Sequence, residues 1–157
     1  MQANIQVDTT DRRILSALSE DGRRSYGEVG AEVGLSTAAV HERVKKLLER
    51  GVIRRFSISV DPEAVGLSFT AFVAIRNDGG AHCREVAPRL REIASVLELH
   101  SVAGEYDFLA KIRTSHAREL EAVLYQIKSI PGVARTTSTV VLNTEFEDQP
   151  LRPLEQT

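Results

Sequence analysis

The chain has 157 residues, 42% of them hydrophobic and 27% charged, the balance of a folded globular protein and not of a disordered one. That length suits one ordinary domain or two small ones, and no apolar run approaches the ~18 residues that span a bilayer. The single cysteine, Cys83, excludes an internal disulfide and fits a reducing cytoplasm, while the net charge of −2 argues, until its distribution is read, against a nucleic-acid partner. The opening stretch MQANIQVDTTDRR has no apolar segment behind a basic start, so no secretory signal is expected there.

The first predicted helix starts at Asp8, with Asp11 three residues on and Ile14, Leu15 and Leu18 as its apolar face. Carboxylates at those two places accept from the unpaired N–H groups of a helix start and meet the positive end of its dipole. Asp21-Gly22 ends it. Ser25-Tyr26-Gly27-Glu28 then has the capping-box form, Ser at the cap and Glu three residues later. Val29 and Val33 share a face of this short second helix, which Gly27 and Gly30 weaken, so that tertiary packing must hold it.

Gly34 is placed for a left-handed turn, and Ser36 two residues later caps a third helix. Two helices joined so tightly must cross steeply, which is helix-turn-helix geometry. The third helix is expected to bury Val40, Val44, Leu47 and Leu48, turning Ala38, Glu42, Lys45 and Glu49 outward with His41 and Lys46 beside them. In such modules the start of this helix meets base edges and later basic residues reach phosphates. Ser36, Thr37, Ala38, His41 and Glu42 are therefore the candidates at the bases, and Arg43, Lys45, Lys46, Arg23 and Arg24 those at phosphates.

Gly51 closes the helix, and Arg54 and Arg55 open a short alternating strand, Arg55 to Val60, as a wing that could flank DNA. Charge supports this placement. Arg23 to Val60 holds eight basic and four acidic residues, a local +4, whereas from Asp61 onward there are ten basic and fourteen acidic, a local −4. The competing reading is a three-helix packing unit with a solvated charged face. His41, near the edge of an exposed helix, would by that reading be merely solvated, and no His or Cys lies at metal-ligand spacing.

Asp61-Pro62 breaks the strand, and a helical turn over Glu63–Val65 ends at Gly66. The rest reads as strand 67–75, a loop at Asn77-Asp78-Gly79-Gly80, and a helix from Cys83 to Ile93 that Pro88 should delay or kink. Strands Val96–Val102 and Asp107–Ile112 then form a hairpin around Ala103-Gly104-Glu105-Tyr106. A helix follows over Ala117–Ser129 and a last strand over Val133–Leu142, with Thr137 and Thr139 on one side. The order βαββαβ is the ferredoxin-like arrangement, whose sheet has one face uncovered by its own helices. A partner subunit is the simplest cover. The fold class is thus α+β: a winged-type helix-turn-helix over 1–55, a linker over 56–66, and a ferredoxin-like domain over 67–157.

These residues resemble the Lrp/AsnC, or feast/famine, transcription regulators over nearly the whole chain, Asp8 to about Leu142. The resemblance is carried by Asp11-Arg12-Arg13-Ile14-Leu15, Val33-Gly34-Leu35-Ser36, Glu42-Arg43-Val44 with Leu47 and Gly51-Val52-Ile53, Val102 to Leu109, and Pro131-Gly132-Val133. It implies a DNA-binding regulator modulated by a small effector, an amino acid, and dimers formed through the sheet that assemble into higher oligomers, often octamers. It implies an effector site at Gly104, Glu105, Tyr106 and Asp107, with Ser101, Thr137 and Thr139 nearby. A carboxylate such as Asp107 can pair with an α-ammonium, and N–H groups around Gly104 can hold an α-carboxylate. The plainer reading is that Gly104 permits the turn and Asp107 caps it. In the family the recognition helix often starts with bulkier, proline-containing sequence, where this chain has Ser36-Thr37-Ala38-Ala39-Val40.

Two other functions use the same architecture. Some tetrapyrrole decarboxylases resemble it and use histidines catalytically, but His41, His82, His100 and His116 are scattered and assemble no nucleophile–base set. A DNA-bending, chromosome-organising protein differs from a regulator in its specificity ratio and not in its motifs. The expectation is a cytoplasmic non-enzyme without cofactor or metal, binding double-stranded DNA and no membrane.

Overall fold

The computed structural model describes residues 7–79, 83–151 and 153. Gly80 of the expected loop, His82 and the first six residues lie outside them. The chain divides into two units: residues up to Ser59 together with the tail from Phe146, and Val60–Glu145.

Local chemistry sets the helices of the first unit. Helix α1 (Thr9–Glu20) starts at Asp8, whose carboxylate accepts the Asp11 N–H at 2.7 Å. Helix α2 (Tyr26–Val33) carries the full capping box: Ser25 Oγ accepts the Glu28 N–H, and the Glu28 carboxylate accepts the Ser25 N–H at 2.8 Å. Gly34 sits at φ +78° and Ser36 caps α3 (Thr37–Glu49), accepting from Ala39 N at 3.2 Å. Ile14, Ala17, Leu18, Val29, Val33, Val40 and Val44 form one buried cluster.

Gly30 has a role beyond weakening α2. The Leu35 N–H donates to its carbonyl at 2.8 Å, and a Cβ at Gly30 would stand 2.5 Å from the Leu35 carbonyl oxygen. The turn closes this tightly only because position 30 has no side chain.

Two expectations fail here. Leu47 is buried, but Leu48 is 40% exposed. At 100° per residue it lies about 80° round from Val40, at the edge of the apolar stripe. The strand Arg55–Val60 does not form: the segment has no ladder, and Phe56, Ile58 and Val60 are exposed. Alternation supplies strand-like faces, but a strand also needs a neighbour for its N–H and C=O groups. Among the described residues the wing is therefore an unpaired segment.

In the second unit β1 (Phe69–Asn77), α4 (Cys83–Arg91), β2 (Val96–Ser101), β3 (Phe108–Thr114), α5 (Ala117–Lys128) and β4 (Val133–Val140) follow in the βαββαβ order. The sheet is antiparallel throughout, ordered β2-β3-β1-β4. Residues 62–66 make a turn and not a helix, closed by Leu67 N donating to Pro62 O at 2.7 Å with Gly66 at φ +77°. Helix α4 begins at Cys83 with Pro88 inside it, so the proline does not delay its start, though it ends at Arg91 and not at Ile93. β4 stops at Val140, leaving Leu142 98% exposed.

Ala71, Val73, Ile75, Phe108, Ala110 and Ile112 pack against Val86, Leu90, Leu120, Val123 and Ile127 of the two helices. The opposite face of the sheet shows Phe72, Ala74 and Leu109 at its centre, Phe72 39% exposed. Glu98 and His100 flank them on β2, Thr137 and Thr139 on β4.

Candidate nucleic-acid interface and effector loop

Helix α3 separates its residues cleanly. Val40, Val44 and Leu47 are buried, while Thr37, Ala38, His41, Glu42, Lys45, Lys46 and Glu49 are exposed. Small side chains at 37 and 38 leave the start of the helix open to close approach, and an Ala methyl can meet a thymine methyl. Ser36, by contrast, has its hydroxyl engaged as the cap.

His41 is anchored sideways: its ring lies 5.8 Å from that of Tyr26 on α2, tilted by 60°, and its Nδ1 is 3.7 Å from Glu42 Oε1. Tyr26 is a contact that sequence reading did not single out, since nothing local joins positions 26 and 41.

Arg43 differs from its neighbours. Its Nη1 donates to Asp8 Oδ2 and to Asp11 Oδ1, each at 2.7 Å, and Asp11 is 7% exposed. The Asp11 N–H and the Arg43 guanidinium hold the Asp8 carboxyl below its usual range, and the two carboxylates raise Arg43 in return. So Asp8 caps α1, and Asp8 and Asp11 together tie it to α3. Arg24 is similarly engaged, 2.6 Å from Glu32, and Arg13 donates to the Glu32 carbonyl at 2.7 Å. Arg23, Arg54 and Arg55 are exposed.

In the second unit the hairpin loop is tied back to β1. Asp107 Oδ2 accepts the Asn77 N–H at 2.7 Å, Asp107 N donates to Ile75 O, and Val102 N donates to Asp107 O. Gly104 adopts φ +139° and Glu105 is exposed. Tyr106 OH lies 3.0 Å from Thr137 Oγ1, and Thr139 shares that uncovered face. Ser101 pairs with buried Phe108, which places it on the helix side of the sheet, away from the two threonines.

Among the described residues no group of three or more His, Cys, Asp or Glu could hold a metal ion, and no helix is long and apolar enough to cross a membrane.

A capped helix-turn-helix with a bare polar recognition face, joined to a ferredoxin-like α+β unit, defines a two-part DNA-binding protein. Residues 7–48 match the AsnC-type helix-turn-helix domain, and residues 70–151 match the Lrp/AsnC ligand binding domain. The chain is 41% identical to the HTH-type transcriptional regulator FL11 of Pyrococcus abyssi over 143 residues, covering 91% of this chain and 94% of that one. Its fold is similar to the feast or famine regulatory protein of M. tuberculosis complexed with L-methionine, with a TM-score of 0.88, 38% identity, and coverage of 94% and 100%. It is also similar to a transcriptional regulator of Neisseria meningitidis in complex with L-Met, with a TM-score of 0.85, 28% identity, and coverage of 93% and 96%. The chain belongs to the Lrp/AsnC family of transcriptional regulators.

Proposed function

We propose that this protein is a cytoplasmic, amino-acid-responsive regulator and not an enzyme, which sets the exposed face of α3 into the major groove. Thr37, Ala38, His41 and Glu42 meet base edges, and Lys45, Lys46, Arg23, Arg54 and Arg55 bind phosphates. Arg43 acts from behind, fixing α3 on α1. The observation that carries this reading is the split of α3 into a buried Val40–Val44–Leu47 stripe and a polar face that is exposed among the described residues.

The second unit takes the amino acid at the Gly104–Asp107 loop. Two of the similar solved structures, the feast or famine regulatory protein of M. tuberculosis and the transcriptional regulator of N. meningitidis, are complexes with L-methionine, which supports that ligand class. Asp107 keeps Oδ1 for an ammonium group after Oδ2 has taken the Asn77 N–H, and Tyr106 and Thr137 offer hydroxyls beside it. The apolar centre of the uncovered sheet face, Phe72, Ala74 and Leu109, suits a second copy of the chain, and dimers build a higher oligomer, an octamer by family resemblance.

Selection of bound fragments from host DNA, with and without the twenty amino acids, tests this. Enrichment of a few two-fold-symmetric sites that changes with amino acids is the expected result. No enrichment at a salt concentration where specific binders persist would overturn it.

A further inference from the structure

One row across the uncovered sheet face carries unbalanced charge. Arg76 on β1 pairs directly with Arg135 on β4. Alternation along the strands sets Arg76 on the face of Phe72 and Ala74, and Arg135 on that of Thr137 and Thr139. Like charges directly opposite one another on a sheet repel. Both arginines are exposed, and among the described residues neither has an acidic partner.

Asp107 completes the row. Its N–H donates to the Ile75 carbonyl at 2.9 Å, and its Oδ2 accepts the Asn77 N–H at 2.7 Å. The two bonds clasp β1 on either side of Arg76. A carboxylate and two guanidinium groups thus follow one another across three neighbouring chain segments, each about 4.8 Å from the next. The Tyr106 hydroxyl, 3.0 Å from Thr137 Oγ1, lies over the same face, and Thr137 is two residues from Arg135 on β4.

A simple anion does not complement this row, because it would meet Asp107 as well as the arginines. A ligand that carries both signs does. With the α-ammonium on Asp107 Oδ1 and the α-carboxylate on the N–H groups around Gly104, two guanidinium forks remain. Each fork matches a carboxylate in two parallel bonds. A second carboxylate at the end of a short side chain would therefore neutralise the pair, whereas an amide or a thioether would leave both charges standing.

We propose that Arg76 and Arg135 make the effector site selective for an acidic amino acid, L-glutamate or L-aspartate. The inference rests on the reading of the Gly104–Asp107 loop as an amino-acid site, and the test keeps the two apart.

The full-length protein is titrated calorimetrically with L-glutamate, L-aspartate, their amides L-glutamine and L-asparagine, and L-methionine. The titrations are repeated on Arg76→Gln and Arg135→Gln, and the native mass of all three chains is measured without amino acid. At least one acid should bind about tenfold or more tightly than its amide and than L-methionine. Either variant should lose that preference and keep its affinity for the amides and its native mass. If an amide or L-methionine binds as tightly as the acids, or if the preference survives in both variants, the arginine pair selects nothing and this inference alone falls. A lower native mass in the variants would overturn it too, by showing that the pair answers an acidic group of a second copy. If none of the five amino acids binds, the inference and the amino-acid site fall together.

Discussion

Arg43 Nη1 donates to Asp11 Oδ1 at 2.7 Å, across 32 residues of sequence, and so fastens the recognition helix to the first helix. Asp11 is nearly buried, and a buried carboxylate left without its donor costs more than the bond itself contributes. Arg43→Ala should therefore destabilise the first unit by about 1–3 kcal/mol. It should weaken binding to every DNA sequence alike while leaving the salt dependence of binding unchanged, because the Arg43 guanidinium is already engaged by Asp8 and Asp11. Thermal melts with salt titrations check both points, and a shallower salt slope would return Arg43 to the phosphate-binding set.

The two glycines of α2 should respond oppositely to alanine. At Gly30 the clash with the Leu35 carbonyl oxygen should cost about 1–3 kcal/mol, outweighing a helix-propensity gain of about 0.8–1.0 kcal/mol. At Gly27 an added Cβ meets only Thr37 Oγ1 at 3.5 Å and Ser25 Oγ at 3.8 Å, ordinary contact distances. Gly30→Ala should lower the melting temperature of the first unit and Gly27→Ala should raise it; the same direction of change at both sites would contradict this geometry.

Acid should loosen the first unit through Asp8. Its carboxyl is held low by the Asp11 N–H and then by Arg43, and the Glu28 carboxyl is held low by Ser25. A folded-state value below the unfolded one contributes stability that is present above the ordinary carboxylate range, about pH 4, and lost as pH falls through the lowered value. Asp8 is half exposed, so salt screens part of the effect. Melts between pH 7 and 3 should show Asp8→Ala less stable than the parent at neutral pH, with the gap closing on acidification. A constant gap would exclude the linkage.

What could be read from the sequence follows how far apart the participants lie. The Ser25–Glu28 capping box, the left-handed Gly34 and the Ser36 cap are three-residue signals, and all are present in the structure. The βαββαβ order was legible because each element carries its own period. The Arg43 tie to Asp8 and Asp11, the Tyr26–His41 ring contact and the Tyr106–Thr137 bond were not, since each joins distant positions without a local signature. The strand at Arg55–Val60 failed for a related reason. A period of two describes a strand's faces and is silent on its neighbour.

Asp107 separates two roles by charge. Asp107→Asn keeps a carbonyl oxygen for the Asn77 N–H but cannot pair with an ammonium, so stability should stay within about 1 kcal/mol of the parent while the response to a mixture of amino acids disappears. Asp107→Ala should lose both. An asparagine variant that still responds would place the ammonium elsewhere.

If the exposed face of α3 is the DNA surface, Lys45 and Lys46 neutralise phosphates there. Binding of the parent, Lys45→Ala and Lys46→Ala chains to one duplex should be followed from low to physiological salt. Each variant should bind more weakly to all sequences, with a log–log salt slope shallower by about 1, as when a single phosphate is no longer neutralised. Unchanged affinity and slope in both variants would contradict it and turn α3 back into an ordinary solvated helix.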